Sequence, residues 1–366
     1  MSKAIINIHK KTFNISKGNL DRLIKEFSLK TVISTNEYKD CSSCPFCKNT
    51  NNITINNYCE NYCPNIMIQK EYETLNLKAN SNGQYKLPNL AIKLMLLYYS
   101  ITDSHGLLKE VRKKHLANIL NCSIKSIDNN NIILEELGFI TLANKCYGKI
   151  SLFINNYEKQ HTKGGEGYLV VGNVVMLALL NSPSIHITTL LIKALKKYDI
   201  DTLLHNETNI SYEQLKKLIP SVAYPKGLDR LLENIEMYLS ETLPKIIEKF
   251  IGVIPEKIFN IIKNIDNSIS FALFPAYNGK TIIKNEESSF NDYCKETAQN
   301  NKKQYKFLNA NRNNFIELCK EYGFKEVWDI IHLCFLNAFD TIKNPGAYIR
   351  EKIRYNISIK NSALNI

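Results

Sequence analysis

Glu110–Ile154 reads EVRKKHLANILNCSIKSIDNNNIILEELGFITLANKCYGKISLFI, and its pattern decides the fold. It predicts a helix, a three-residue turn, a second helix and a two-stranded hairpin. From Val111 to Leu120 the apolar Leu116, Ala117, Ile119 and Leu120 gather opposite Arg112, Lys113 and Lys114. Asn121-Cys122-Ser123 interrupts that run, and Ser123 suits an N-cap, where its hydroxyl accepts a first-turn N–H. In the next helix, Ile124 to Leu137, Ile127 and Leu134 stand two turns apart on one face. Gly138 stops the helix, and FITLA and KISLFI alternate like paired strands across Asn144–Gly148.

This order resembles a winged helix-turn-helix. Leu116-Ala117 matches the small step at which the two helices cross, and Lys125-Ser126-Ile127 matches the start of the reading helix. Leu134-Glu135-Glu136-Leu137-Gly138-Phe139-Ile140 matches the step into the wing. Asn131 departs from the pattern, which has an apolar core residue there, so a rotated or early-ending helix is expected. The resemblance implies a DNA-binding domain over 86–158, with Leu87 to Ile101 as a helix behind the reading helix. Lys125, Ser126, Asn129 and Asn130 are then the candidates for base or nearby phosphate contacts. Asn can pair with adenine, and Lys can reach guanine or phosphate. Arg112, Lys113, Lys114, Lys145 and Lys149 are candidates for phosphate contacts that position without reading. Asp128 on the same side limits the charge.

The chain has 366 residues, room for two or three domains, with a formal charge of +12 that suits a polyanionic partner. No apolar run is long enough to cross a bilayer, and Met1-Ser2-Lys3 leads into no signal-peptide core. A bacterial cytosolic protein is expected, with no membrane partner.

Five of the ten cysteines cluster over 41–63 as Cys41-x2-Cys44-Pro-Phe-Cys47 and Cys59-x3-Cys63. In a reducing cytosol two close thiolate pairs suit a tetrahedral zinc site better than disulfides. Cys44-Pro-Phe-Cys47 resembles a zinc knuckle. Cys44, Cys47, Cys59 and Cys63 form the expected ligand set for a structural zinc, within an N-terminal segment 1–79, and Cys41 is a spare or replaces one of them. An iron–sulfur cluster and metal-free thiols remain alternatives; the long gap from Cys47 to Cys59 fits clusters poorly.

Elsewhere residues 1–15 allow a short strand, and Lys17 to Thr35 predicts an amphipathic helix. The Gly-rich loop 161–167 lacks a phosphate-binding ending and reads as a hinge. Over 168–277, Ser211 caps a helix, Pro220–Pro225 breaks it, and Lys226 to Tyr238 resumes, followed by a strand at 268–274. That pattern fits either a second winged helix, with Lys226 and Arg230 towards DNA, or a helical interaction domain. Polar residues from Ala276 to Lys306 read as a flexible basic linker before a helical domain over 307–366. Lys343-Asn344-Pro345-Gly346-Ala347-Tyr348-Ile349-Arg350 resembles a C-terminal phrase of plasmid and phage replication proteins of the replisome-organiser kind.

The expected fold is therefore mainly α with small β wings: winged helix-turn-helix domains, a small Cys-rich zinc module and a C-terminal helical domain. The resemblance implies a non-enzymatic, sequence-specific binder of double-stranded DNA that initiates replication, with replication proteins or further copies of itself as partners. Two alternatives are a transcriptional regulator and a protein-interaction scaffold. No Walker loop and no paired metal-binding histidines point to catalysis. Purified protein is expected to carry zinc; metal analysis finding none, with Cys44 and Cys47 freely alkylated, would remove the ribbon.

Overall fold

A computed structural model describes residues 10–28, 84–144, 148–158, 167–201, 206–252, 255, 257–337 and 342–363. The expected mainly helical architecture with small sheets is observed. Two units are present. In Glu26–Leu87, β2 (Phe27–Ser28) pairs antiparallel with β3 (Gln84–Tyr85), and the Phe27 and Tyr85 rings stack at 6.1 Å. The other unit combines Met1–Lys25 with Pro88–Ile366. Cys41, Cys44, Cys47, Cys59 and Cys63 lie outside the described residues, as do Lys145 and most of the 161–167 loop.

The larger unit is built twice on one plan. Strand β1 (Thr12–Ser16) leads into α1 (Lys17–Ile24), and β7 (Tyr168–Gly172) leads into α5 (Asn173–Asn181). Phe13, Ile15, Leu20, Leu23 and Ile24 are buried, and so are their counterparts Leu169, Val171, Met176, Leu179 and Leu180. The first half continues with α2 (Asn89–Ile101), β4 (Leu107–Arg112), α3 (Lys113–Ile119), α4 (Ile124–Glu136), β5 (Ile140–Asn144) and β6 (Lys149–Ile154). The second continues with α6 (Ile185–Asp201), β8 (Thr208–Ile210), α7 (Tyr212–Leu218), a 3-10 turn (Pro220–Ala223) and α8 (Gly227–Met237). A π turn (Tyr238–Thr242) joins α8 to α9 (Leu243–Ile251), before β9 (Phe259–Lys263) and β10 (Ile269–Leu273). The three-stranded sheets share an order, β4-β6-β5 and β8-β10-β9.

Pairing of β1 with β7 joins the halves. Thr12 faces Gly172 and Ser16 faces Tyr168, so the ladder has a local two-fold axis through Asn14 and Val170. Packing around it is reciprocal: α1 lies on α6, and α5 lies on α2. That arrangement explains why α2 and α5 are apolar on nearly every side, since both are covered all round. Each fully buried Leu, Ile or Met there contributes roughly 1.5–3 kcal/mol relative to exposure.

Five helices follow: α10 (Gly279–Asn300), α11 (Lys302–Ala310), α12 (Arg312–Tyr322), α13 (Phe324–Asn337) and α14 (Pro345–Ala363). Phe290, Leu308, Phe315, Leu318, Val327 and Ile349 are among their shared core. The bundle is fixed to the strand pair. Lys11 N–H donates to the Glu321 carbonyl at 2.7 Å, the Thr12 hydroxyl to the Lys320 carbonyl at 2.9 Å, and Lys10 pairs with Glu321 at 2.8 Å. A Cβ on Gly279 would stand 2.5 Å from the Val170 carbonyl oxygen, so only glycine lets α10 start against β7. Buried Asp199 ties these parts together, with Lys17 of α1 and Lys280 of α10 each 2.7 Å from its carboxylate.

Several sequence expectations are corrected. The polar stretch after Ala276 is no linker. Phe290, Cys294 and Thr297 form an i, i+4, i+7 stripe that buries α10, so the helical domain starts at Gly279 rather than at 307. Val111 belongs to β4, because its strand pairs with β6 through Val111–Ile150. The helix from Lys17 ends at Ile24, where Lys25 turns extended and Phe27 enters a ladder. The stretch between Pro244 and the strand at 268–274 reads as further helix, but Phe259–Lys263 pairs with β10 as β9. Among the described residues no helix is long and apolar enough to cross a membrane.

Asp199→Asn should leave both lysines without their carboxylate. Because Lys17 and Lys280 are partly solvated, the expected loss is about 1–3 kcal/mol, measured by urea unfolding.

Candidate nucleic-acid interface

Helix α4 owes its start and stop to local chemistry. The Ser123 hydroxyl accepts from Ser126 N–H at 3.0 Å. At the other end Gly138, at φ +70°, lets Phe139 N–H reach the Leu134 carbonyl and Gly138 N–H reach that of Glu135. Arg22 of α1 fastens this corner, donating to the Leu137 carbonyl at 2.6 Å and lying 4.2 Å over the Phe139 ring. Leu116 and Ala117 of α3 are buried, as are Ile127 and Leu134 of α4, which matches the expected crossing. At the start of β6, Lys113 N–H donates to the Gly148 carbonyl at 2.9 Å.

The exposed surface beside this frame carries Arg112, Lys114, Lys125 and Asn129. No acid lies in the first turn of α4, so the partial positive charge of its N-terminus adds to Lys125. Two predicted cations are already paired: Lys113 with Asp128 at 2.6 Å, and Lys149 with Glu110 at 2.8 Å. The Lys149 pair holds the Glu110 carboxyl below the usual carboxylate range. Ser126 is half-buried and bonded to Ser123. It supports the helix start more than it faces outwards.

Asn130 is a correction. Its side chain is 7% exposed and donates back to the Ser126 carbonyl at 2.7 Å, which takes it off the outward face. Asn131 also differs from expectation. The helix is neither rotated nor cut short; Asn131 occupies the core position and accepts from the Tyr98 hydroxyl at 2.5 Å. Burial raises the Tyr98 hydroxyl far above its ordinary pKa, so it remains a donor. Sequence reading also missed Ile124 and Ile132, which are 43% and 50% exposed on α4. Their signal was their place outside the Ile127–Asn131–Leu134 stripe. Apolar side chains there suit the thymine methyl in a major groove.

The second module repeats parts of this surface. Lys226, at φ +60°, precedes α8 and is exposed, as are Arg230 and Lys217. Gly227 is required, since a Cβ would meet the Ser221 carbonyl oxygen at 2.0 Å. Asp229 at the start of α8 is neutralised by Lys263 of β9 at 2.5 Å. Farther along α8, Glu233 and Glu236 are exposed. The β9–β10 turn presents Ile265 fully to solvent.

Comparison with family models, curated proteins and solved structures returned no match. Among the described residues no group of His, Cys, Asp or Glu converges as a metal site.

Asn129→Ala should cost about 1–3 kcal/mol of affinity for a specific duplex and little for random duplex. Asn130→Ala should instead lower stability by less than about 1.5 kcal/mol and leave site preference unchanged. Arg112→Ala should reduce the slope of log affinity against log salt by about one; Lys149→Ala, already paired, should reduce it less. DNA titrations at several salt concentrations check the four affinities, and urea unfolding checks the stability of Asn130→Ala.

Proposed function

We propose that this protein binds double-stranded DNA sequence-specifically through two winged helices, α4 and α8 being the reading helices. The observation that carries this reading is the repeated helix–strand–helix–helix–strand–strand order, the last helix being extended by α9 in the second copy, with each copy presenting a helix N-terminus beside exposed cations. A helix of this size fits the major groove, and the N-terminal residues of a reading helix meet base edges. Arg112, Lys114, Lys125, Lys217, Lys226 and Arg230 supply the phosphate contacts. Asn129, Ile124 and Lys125 are the base contacts of the first module.

The biological role proposed is initiation of plasmid or phage replication in a bacterial cytoplasm. The five-helix bundle, fixed to the strand pair, would present a surface to replication proteins or to a second copy. The phrase Asn344–Arg350 supports this less than its sequence implied, because it also builds a helix start. Asn344 Oδ1 accepts from Ala347 N–H at 3.1 Å, and Pro345, Gly346 and Ile349 are buried in the bundle. In the Cys-rich segment, Cys44, Cys47, Cys59 and Cys63 would hold zinc as a closed structural site.

If the two-fold axis of β1 and β7 extends to the modules, α4 and α8 meet a duplex with opposite strand polarity. The deciding experiment combines footprinting on DNA around the gene with photo-crosslinking from positions 125 and 226. Protected, regularly spaced repeats with crosslinks to opposite strands are expected. A single protected operator at a promoter favours a regulator instead. Absence of any salt-dependent DNA shift would make both modules protein-binding and overturn the reading.

A further inference from the structure

The core face of α4 carries a polar residue where packing alone would prefer an apolar one. Ile127, Asn131 and Leu134 form its buried stripe, and Asn131 is 2% exposed. Its Oδ1 accepts from the Tyr98 hydroxyl of α2, itself wholly buried. Its Nδ2 is buried without a hydrogen-bond partner, and so is Oδ1 of neighbouring Asn130. Leaving Asn131 Nδ2 unpaired costs stability, and an apolar pair of similar volume in place of Tyr98 and Asn131 would avoid that cost. The second module shows no such tyrosine–asparagine bond among its described residues. Tyr198 of α6 donates its hydroxyl at 3.2 Å to the Leu273 carbonyl of strand β10, not to α8.

We infer that the Tyr98–Asn131 hydrogen bond is a positioning lock that sets the rotation of α4 on α2, and thereby which side chains of α4 face DNA. Apolar packing tolerates small rotations of one helix on another, whereas a short directional bond admits one. Lys125 and Asn129 lie outside the buried stripe, so any rotation of α4 about its axis carries them sideways across the groove. Recognition of base edges needs placement within about 10–20°. Buried polar groups that fix register at a cost in stability have precedent in helical proteins. The inference rests on α4 being a reading helix.

The test uses the full chain with Asn131→Leu plus Tyr98→Phe, and Tyr98→Phe alone. Three quantities are read: the thermal midpoint, the affinity ratio of a duplex selected from a random library over unselected duplex, and the footprint. The double variant is expected to melt at or above the parent and to bind unselected duplex equally, with its selectivity ratio reduced at least tenfold. Tyr98→Phe removes one oxygen atom, should melt lower, and should lose selectivity as well; it carries the test if the double variant does not fold. Retained selectivity and an unchanged footprint in either folded variant would overturn the lock while leaving DNA reading intact. A parent protein that does not prefer any selected duplex would overturn the DNA reading, and the lock with it.

Discussion

The five-residue antiparallel ladder between β1 and β7 is the constraint on which the larger unit depends. Its strands are far apart in sequence, so forming it closes a long loop before later contacts can repay the lost entropy. Once made, it lets α1 and α5 each cover the principal helix of the opposite half. The start of β1 then holds the C-terminal bundle through backbone and side-chain bonds to Lys320 and Glu321, and β7 receives the start of α10 at Gly279. Neither half can bury α2 or α6 completely by itself. The modules are interlocked rather than strung along the chain.

Electrostatics divides the surface more finely than net charge implies. A chain of +12 has cations to spare, yet Lys17, Lys113, Lys149, Lys263 and Lys280 are each engaged by a carboxylate. The residues from 185 to 273 carry equal numbers of acidic and basic side chains. The exposed cations near the helix starts therefore matter through position. Longer-range attraction between them and a polyanion weakens over about 8 Å at physiological salt.

Local signals were legible in the sequence wherever one residue decides the geometry. Ser123, Ser211 and Gly138 cap or stop helices as their chemistry requires, and the Leu116-Ala117 crossing follows from size. What stayed hidden depends on partners remote in sequence. Asn130 and Asn129 look alike in a polar run, and only the turn of about 100° between neighbours on a helix packed against α2 sends one inwards. Helix α10 looked like a linker because its narrow buried stripe is outnumbered by polar residues meeting water. Strands β1 and β7 are short, and nothing local in either announces the other. The cysteine segment, read from spacing alone, belongs to a part of the chain where the described residues are few.

The two halves differ most in how the helix after the first strand joins the next. Between α5 and α6 the connection is Ser182-Pro183-Ser184, whereas α1 and α2 are separated by residues 25–88. At that second place the chain leaves and returns through the Phe27–Tyr85 and Ser28–Gln84 pairs, which hold the two ends side by side. The pairing closes the loop between Ser28 and Gln84 at its base. Lengthening it adds closure entropy only logarithmically, about 0.6 kcal/mol per doubling. The larger unit therefore carries the length of chain between Ser28 and Gln84 at a small entropic cost.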